Sequence, residues 1–175
     1  MTHLSRVLHR SALVSIVALV LLPTGCNYSF RAGTGFEQVR TIAVVPFEND
    51  TDRLELTQEV FDVLLRELPR ALGVSPAGED VADAVVQGTI STYQVTSANY
   101  RPDPAGGRPE VLQREVVLAV SVRIVDLEQN LILWESRALR SQGQFLEASE
   151  TEDVGREIAI DLLVQKIVDG AQSNW

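Results

Sequence analysis

The sequence predicts an α+β domain: a four-stranded, mostly antiparallel sheet with two helices packed on one face, in the order β-α-β-β-β-α. Three observations predict it. Val116, Leu118, Val120, Val122 and Ile124 alternate with Glu115, Ser121 and Arg123, the period of a half-buried strand. Two segments, Leu54–Leu68 and Glu150–Asp169, repeat apolar residues at helical spacing. The short stretch Asp126-Leu127-Glu128-Gln129-Asn130 separates two strand-like runs, which therefore form a hairpin.

The elements follow in chain order. Val39 to Phe47 is β-branched and broken by Pro46, which predicts a strand over Arg40–Pro46. Ile42 and Val44 share one face, Ala43 and Val45 the other, and two apolar faces place the strand centrally. Glu48 to Asp52 is a polar turn able to cap a helix. In that helix Val60, Phe61, Leu64, Leu65 and Leu68 form the buried stripe, and Pro69, lacking an N–H, ends or kinks it. Residues 73–81 read as loop. A strand over Ala84–Thr96 contains Gly88. Asn99–Pro109, with three prolines and Gly106-Gly107, reads as an exposed, mobile loop. Strands over Val111–Asp126 and Leu131–Phe145 follow; in the second, Ile132, Trp134 and Ala138 alternate with Leu133, Glu135 and Arg137. Ser149 and Glu152 fit a capping box for the last helix. Its stripe is Ala159, Ile160, Leu163, Val164 and Ile167, but Val154, Ile158, Leu162 and Val168 fall outside. Such a helix is either sunk deep in its own sheet or offers a second side to a partner.

The N-terminus reads as a targeting segment. Arg6 and Arg10 precede an apolar run from Ala12 to Leu22, then come Thr24, Gly25 and Cys26. The run is too short to cross a hydrocarbon core, which needs about 20 residues, so a retained transmembrane anchor is the weaker reading. Leu22-Pro23-Thr24-Gly25-Cys26 resembles the bacterial lipobox, with Pro23 where leucine is usual. Cleavage would then leave Cys26 as the lipidated first residue, which accounts for the lone cysteine. Two or three acyl chains anchor stably where one is marginal. Asn27 follows, where the resemblance to enteric lipoproteins would require Asp for inner-membrane retention, so the expected address is the outer membrane, on the periplasmic side. The expected organisation is a signal peptide over 1–25, a lipidated tether over 26–38 and one domain over 39–175.

Composition narrows the function. Removing residues 1–25 leaves 13 basic and 24 acidic side chains, a net charge of −11. That field repels phosphate, so nucleic acid is not an expected partner. His3 and His9 both precede Cys26, so the mature chain has no histidine, and no thiol remains once Cys26 is acylated. Ser-His-Asp and Cys-His nucleophiles and a His/Cys zinc site are thereby excluded. Pro46-Phe47-Glu48-Asn49 stands where a phosphate loop would need glycines. Paired carboxylates remain open to the chain, but among 24 acids a pair carries no information. No catalytic residue, metal ligand or cofactor is expected.

Three blocks carry a family resemblance: Cys26-Asn27-Tyr28-Ser29-Phe30; Thr41 through Thr51 with Leu56-Thr57; and Ala82 through Ile90 with Val122–Leu127 and Leu133-Trp134-Glu135. In this order they resemble the LptE family of lipopolysaccharide-assembly lipoproteins. Lipoproteins of curli secretion and lipoprotein activators of peptidoglycan synthases share the Ile42–Phe47 pattern and form the alternative. The LptE resemblance implies a plug without catalysis inside the outer-membrane β-barrel LptD. Its implied roles are to help that barrel assemble and to assist lipopolysaccharide on its way to the cell surface. It implies three partners: the barrel, lipopolysaccharide and, through Cys26, the membrane. Phosphorylated glycolipid requires cations. The candidate contacts are Arg101 and Arg108 in the loop and Arg137 and Arg140 on the last strand.

Overall fold

The computed structural model describes Phe36, residues 38–102, Gly107 and residues 110–173. The chain divides into two compact units, Met1–Arg31 and Ala32–Trp175, and every described residue belongs to the second. The signal segment, Cys26 and most of the tether lie outside the described residues.

Among the described residues eight elements follow one another: β1 (Thr41–Val44), β2 (Glu48–Asn49), α1 (Glu55–Leu72), β3 (Ser75–Pro76), β4 (Ala84–Arg101), β5 (Glu110–Asp126), β6 (Leu131–Leu146) and α2 (Glu152–Gln172). They form one six-stranded mixed sheet ordered β3-β1-β4-β5-β6, with β2 also on β4. β1 runs parallel to β3 and β4, and β2 runs parallel to β4. β4, β5 and β6 are an antiparallel meander. The α+β class and the two helices are as expected, but the four-stranded sheet is corrected to six. The two extra strands are two residues each, too short for any period. Pro46 explains β2: it cannot donate to the ladder, so the strand that begins at Thr41 stops and resumes at Glu48. β3 lies in the expected 73–81 loop as an edge strand, where Ser75 N–H donates to the Arg40 carbonyl at 2.9 Å and Pro76 is tolerated.

The core is the helix-facing side of the sheet. Val116, Leu118, Val120, Val122 and Ile124 are all buried, as the alternation predicts. α1 buries Leu56, Val60, Leu64, Leu68 and Leu72, a strict four-residue stripe, whereas Phe61 is half-buried and Leu65 exposed. Pro69 does not end the helix. It is buried in the last turn, and Gly73 ends α1 in the left-handed region at φ 69°. There the Val74 N–H donates to the Pro69 carbonyl and the Gly73 N–H to that of Arg70, so the terminal carbonyls are satisfied. α2 buries its whole expected stripe plus Gly155 and Ala171, while Ile158 and Leu162 stay exposed. Ser149 is not its cap. The N-cap residue is Thr151, without a side-chain cap bond, and Glu150 instead accepts the Leu146 N–H at 2.6 Å.

Two register shifts break the alternation read for β6. One sets Leu133 opposite no partner and turns it into the core while Ile132 is half exposed; the other leaves Arg137 and Ala138 outside the ladder. Beneath them the β5–β6 hairpin turns as expected: the Asp126 carboxylate accepts the Glu128 and Gln129 N–H groups, both at 2.8 Å, and Asn130 takes φ 53°. Gly88 has a packing reason. A β-carbon there would strike the Ser121 carbonyl and stand 2.8 Å from the Phe47 ring.

Candidate functional site

The surface has three parts: a projecting arm, an open sheet face and an ion-paired seam. The arm is the end of β4 from Thr96 with the start of β5, and β6 runs beside it as far as Leu146, opposite Gln113. β4 holds 18 residues, about 60 Å of strand. Its first residues are buried, and from Thr96 onward every described residue is exposed up to Pro102. Register shifts at Ile90/Thr92 and between Ser97 and Tyr100 twist the ribbon as it leaves the core. The loop expected to begin at Asn99 is strand through Arg101, because Tyr100 and Arg101 pair with Val111 and Glu110. Tyr100 is 59% exposed.

The candidate arginines fall in different places. Arg101 ends β4 and faces Glu110 at 3.5 Å. Arg108 lies outside the described residues. Arg137 sits in the β6 bulge, 3.6 Å from Glu135, and Arg140 pairs with Ala119 in mid-sheet. Glu110 and Ala119 are separated along β5 by about 30 Å, so Arg101 and Arg140 cannot clasp one small anion. The Arg140 carbonyl accepts a hydrogen bond from Lys166 at 2.6 Å, which ties β6 to α2.

The face of the sheet away from the helices carries polar side chains among the buried valines Val85 and Val117. A shallow trough of about 360 Å³ crosses it, lined by Glu48, Gln87, Thr89, Ser121, Arg123 and Glu135 among others. Gln87, Arg123 and Glu135 are cross-strand neighbours in register, so one cation lies beside one carboxylate.

The seam joins α1, β4 and α2, and it was not legible in the sequence. Glu152, expected to close a capping box, instead accepts the Tyr93 hydroxyl at 2.7 Å and Arg53 at 2.9 Å. The Arg53 guanidinium stands 5.4 Å over the Tyr93 ring. One turn on, Arg156 forks onto both oxygens of Glu59 at 2.9 and 3.3 Å and reaches Asp153 at 2.8 Å. Burial, followed by the bond to Glu152, pushes the Tyr93 phenol up to about 12. Burial works against the Arg156 charge, but its bonds to Glu59 and Tyr93 outweigh that and hold the guanidinium above its ordinary range. At the other end of the sheet, Asp83 accepts the N–H groups of Arg40 at 2.8 Å and Thr41 at 2.9 Å. Those bonds hold its carboxyl below the usual carboxylate range. The only sequence signal for any of this was Glu152, and it pointed elsewhere.

The two arginines and three carboxylates of the seam pair with one another and clamp three elements together. Among the described residues no three of His, Cys, Asp and Glu converge as metal ligands, and no helix is long and apolar enough to cross a membrane. The arrangement defines a class: a small α+β module with long strands and one open sheet face. Residues 39–170 match the LptE family, described as lipopolysaccharide-assembly, and the chain belongs to that family. No curated protein matches it in sequence.

Solved structures share the fold at low identity. A protein of Xanthomonas campestris superposes with a TM-score of 0.52 at 7% identity, over 77% of this chain and 86% of that one. The PelC dodecamer subunit of Paraburkholderia phytofirmans gives 0.50 at 16% identity, over 79% and 92%. A hypothetical protein of Chlamydia trachomatis gives 0.50 at 15% identity, over 77% and 94%.

Proposed function

We propose that this chain is a lipid-anchored, non-catalytic outer-membrane component that plugs an LptD-like barrel, assists its assembly and serves lipopolysaccharide delivery to the cell surface. The family match over residues 39–170 carries the reading. The geometry supports it in two ways. The polar side chains on the outer sheet face suit a polar barrel lumen, and the sheet is long enough along β4 to reach along such a lumen. Cys26 would hold the lipid, and Arg101, Arg108, Arg137 and Arg140 are the proposed contacts. Arg101 and Arg140 lie far apart, which suits two contacts with a long partner better than one phosphate site.

Depletion tests the reading. Loss of the chain should lower the mature barrel and misdirect lipopolysaccharide, and a photo-crosslinker at Arg101 should capture one large membrane protein. Normal barrel and normal surface lipopolysaccharide after complete depletion would overturn it. Arg101→Glu with Arg108→Glu separates two versions. If the barrel assembles but transport fails, the arm touches the glycolipid or its path. If assembly fails, the arm acts on the barrel. Palmitate labelling lost in Cys26→Ala checks the anchor.

A further inference from the structure

β6 is the outer strand of the sheet, with no strand beyond it among the described residues. Proteins blunt such an edge with bulges, prolines or charges. The first half of β6 is blunted by its two register shifts, but Leu139–Leu146 pairs with β5 without a break and holds no proline. Alternate residues of an edge strand turn their backbone groups away from the sheet. Here the odd-numbered residues face β5, as the Glu147 N–H does in donating to the Leu112 carbonyl at 3.3 Å. The even-numbered ones face outward. The Arg140 carbonyl accepts from Lys166 at 2.6 Å, and the Leu146 N–H donates to Glu150 at 2.6 Å. The Leu146 carbonyl accepts the Ser149 and Glu150 N–H groups. Between these two closed positions stand Gln142 and Gln144, and no described residue takes their outward N–H and C=O groups. Their side chains are bonded back across the sheet, to Glu115 at 3.5 Å and Gln113 at 3.0 Å, and do not shield the edge.

α2 supplies an apolar shelf along the same edge. Ile158, Leu162 and Lys166 follow at four-residue spacing and so form one row on the helix. The Lys166 bond to Arg140 sets that row beside β6. Ile158 is 39% and Leu162 43% exposed, and neither belongs to the buried stripe. The row spans about 12 Å, and Arg140 to Gln144 about 14 Å of strand. Arg140 pairs with no carboxylate among the described residues, and Lys166 gives its ammonium to a carbonyl, in a mature chain at −11.

We propose that the β6 edge at Gln142 and Gln144 takes a lumen-facing, extended segment of the barrel's own chain as a further strand. The proposal rests on the plug reading and names where the barrel holds its plug. An extended backbone matches the two-residue spacing of the open N–H and C=O groups. Gln144 lies opposite Glu115, which lies opposite Thr96, where the arm begins, so the added strand continues along the arm. The segment sets apolar side chains on Ile158 and Leu162 and an acidic one toward Arg140 and Lys166. A second copy of this chain, itself at −11, is opposed by like charge.

Hydrogen exchange read residue by residue tests it, on the acylated full-length protein alone and co-expressed with the LptD-like barrel of the same organism. In the free protein the Gln142 and Gln144 amides should exchange fast, and the Ser141 and Gly143 amides slowly. Slow exchange at all four would remove the open edge and overturn the proposal. In the complex the Gln142 and Gln144 amides should slow by an order of magnitude or more. Gln142→Pro removes one outward N–H and no ladder bond, so it should keep the wild-type melt and lower the yield of complex severalfold. Ile158→Ser with Leu162→Ser, both exposed, should do the same, and this pair decides the matter if the proline variant does not fold. A complex in which both amides stay fast overturns strand addition and leaves the plug reading standing, and so does wild-type yield from the folded variants. If no complex forms, the plug reading fails and the proposal with it. Slowing that appears without the barrel as protein concentration rises assigns the edge to a second copy and overturns the proposal.

Discussion

Gly143 on β6 and Gly155 on α2 meet backbone to backbone. A β-carbon on Gly143 would strike the Gly155 carbonyl and stand 2.6 Å from the Ala159 amide nitrogen. One on Gly155 would stand 2.6 Å from the Phe145 ring and 3.0 Å from the Gly143 carbonyl. Helix and strand therefore touch with no side chain between them, and α2 is seated close over β6.

This contact reverses an ordinary expectation. Gly→Ala inside a helix normally gains about 1 kcal/mol. Gly155→Ala should instead lose roughly 1–3 kcal/mol, because the added methyl forces α2 off β6. Gly143→Ala should cost at least as much, since its obstacles are backbone atoms. Urea midpoints measure both. A stabilised Gly155→Ala would show that α2 is not seated this closely.

Tyr93 makes the seam sensitive to alkali. In the fold its phenol keeps its proton up to about 12, against about 10 for a free tyrosine. Between those values the unfolded chain binds fewer protons than the fold, so stability falls as pH rises. The contribution is whole below the unfolded value and gone above the folded one. Tyr93→Phe should lose about 1 kcal/mol at neutral pH and lack that part of the alkaline slope. Urea unfolding of both proteins between about pH 9 and 12 decides it. Parallel slopes would mean that neither burial nor the bond to Glu152 raises the phenol.

Asp83 should act at the opposite end of the scale. Its carboxylate is favoured in the fold by the Arg40 and Thr41 N–H groups. Its contribution is therefore present above the unfolded carboxylate value and lost as pH falls through the lowered folded one. Asp83→Asn should be less stable at neutral pH and should show a flatter loss in acid. Urea midpoints from about pH 5 down to 3 check the difference. An unchanged acid slope would remove Asp83 as its source.

Val120 is fully buried between β4 and β6 on the helix-facing side. Val120→Asp places a carboxylate there without a partner, at a cost on the order of 3–5 kcal/mol. Small domains hold only ~5–15 kcal/mol in total, so the variant should be largely unfolded by circular dichroism. Thermal unfolding like that of the wild type would contradict the burial of this face.

The sequence by itself determined the α+β class, the two helices, the three long strands and the inward face of β5. These are periodic features, and a period is a local property that Val116 to Ile124 or Ala159 to Ile167 carry without reference to the rest of the chain. It also carried the family resemblance, through blocks spread in order along the chain. Tertiary structure decided the rest. β2 and β3 exist only because β4 and β1 lie beside them to take their backbone bonds. Pro69 stays helical because its ring is buried on the core stripe and Gly73 supplies the stop. Leu133 turns inward because a bulge, not the alternation, sets its side. Glu152 meets Arg53 and Tyr93 across 99 and 59 residues, and Gly143 meets Gly155 on another element. Arg101 and Arg140 are set apart because the strands between them run the length of the sheet. Such partners are fixed by register and by how closely layers pack, and neither is written in the spacing of residues along the chain.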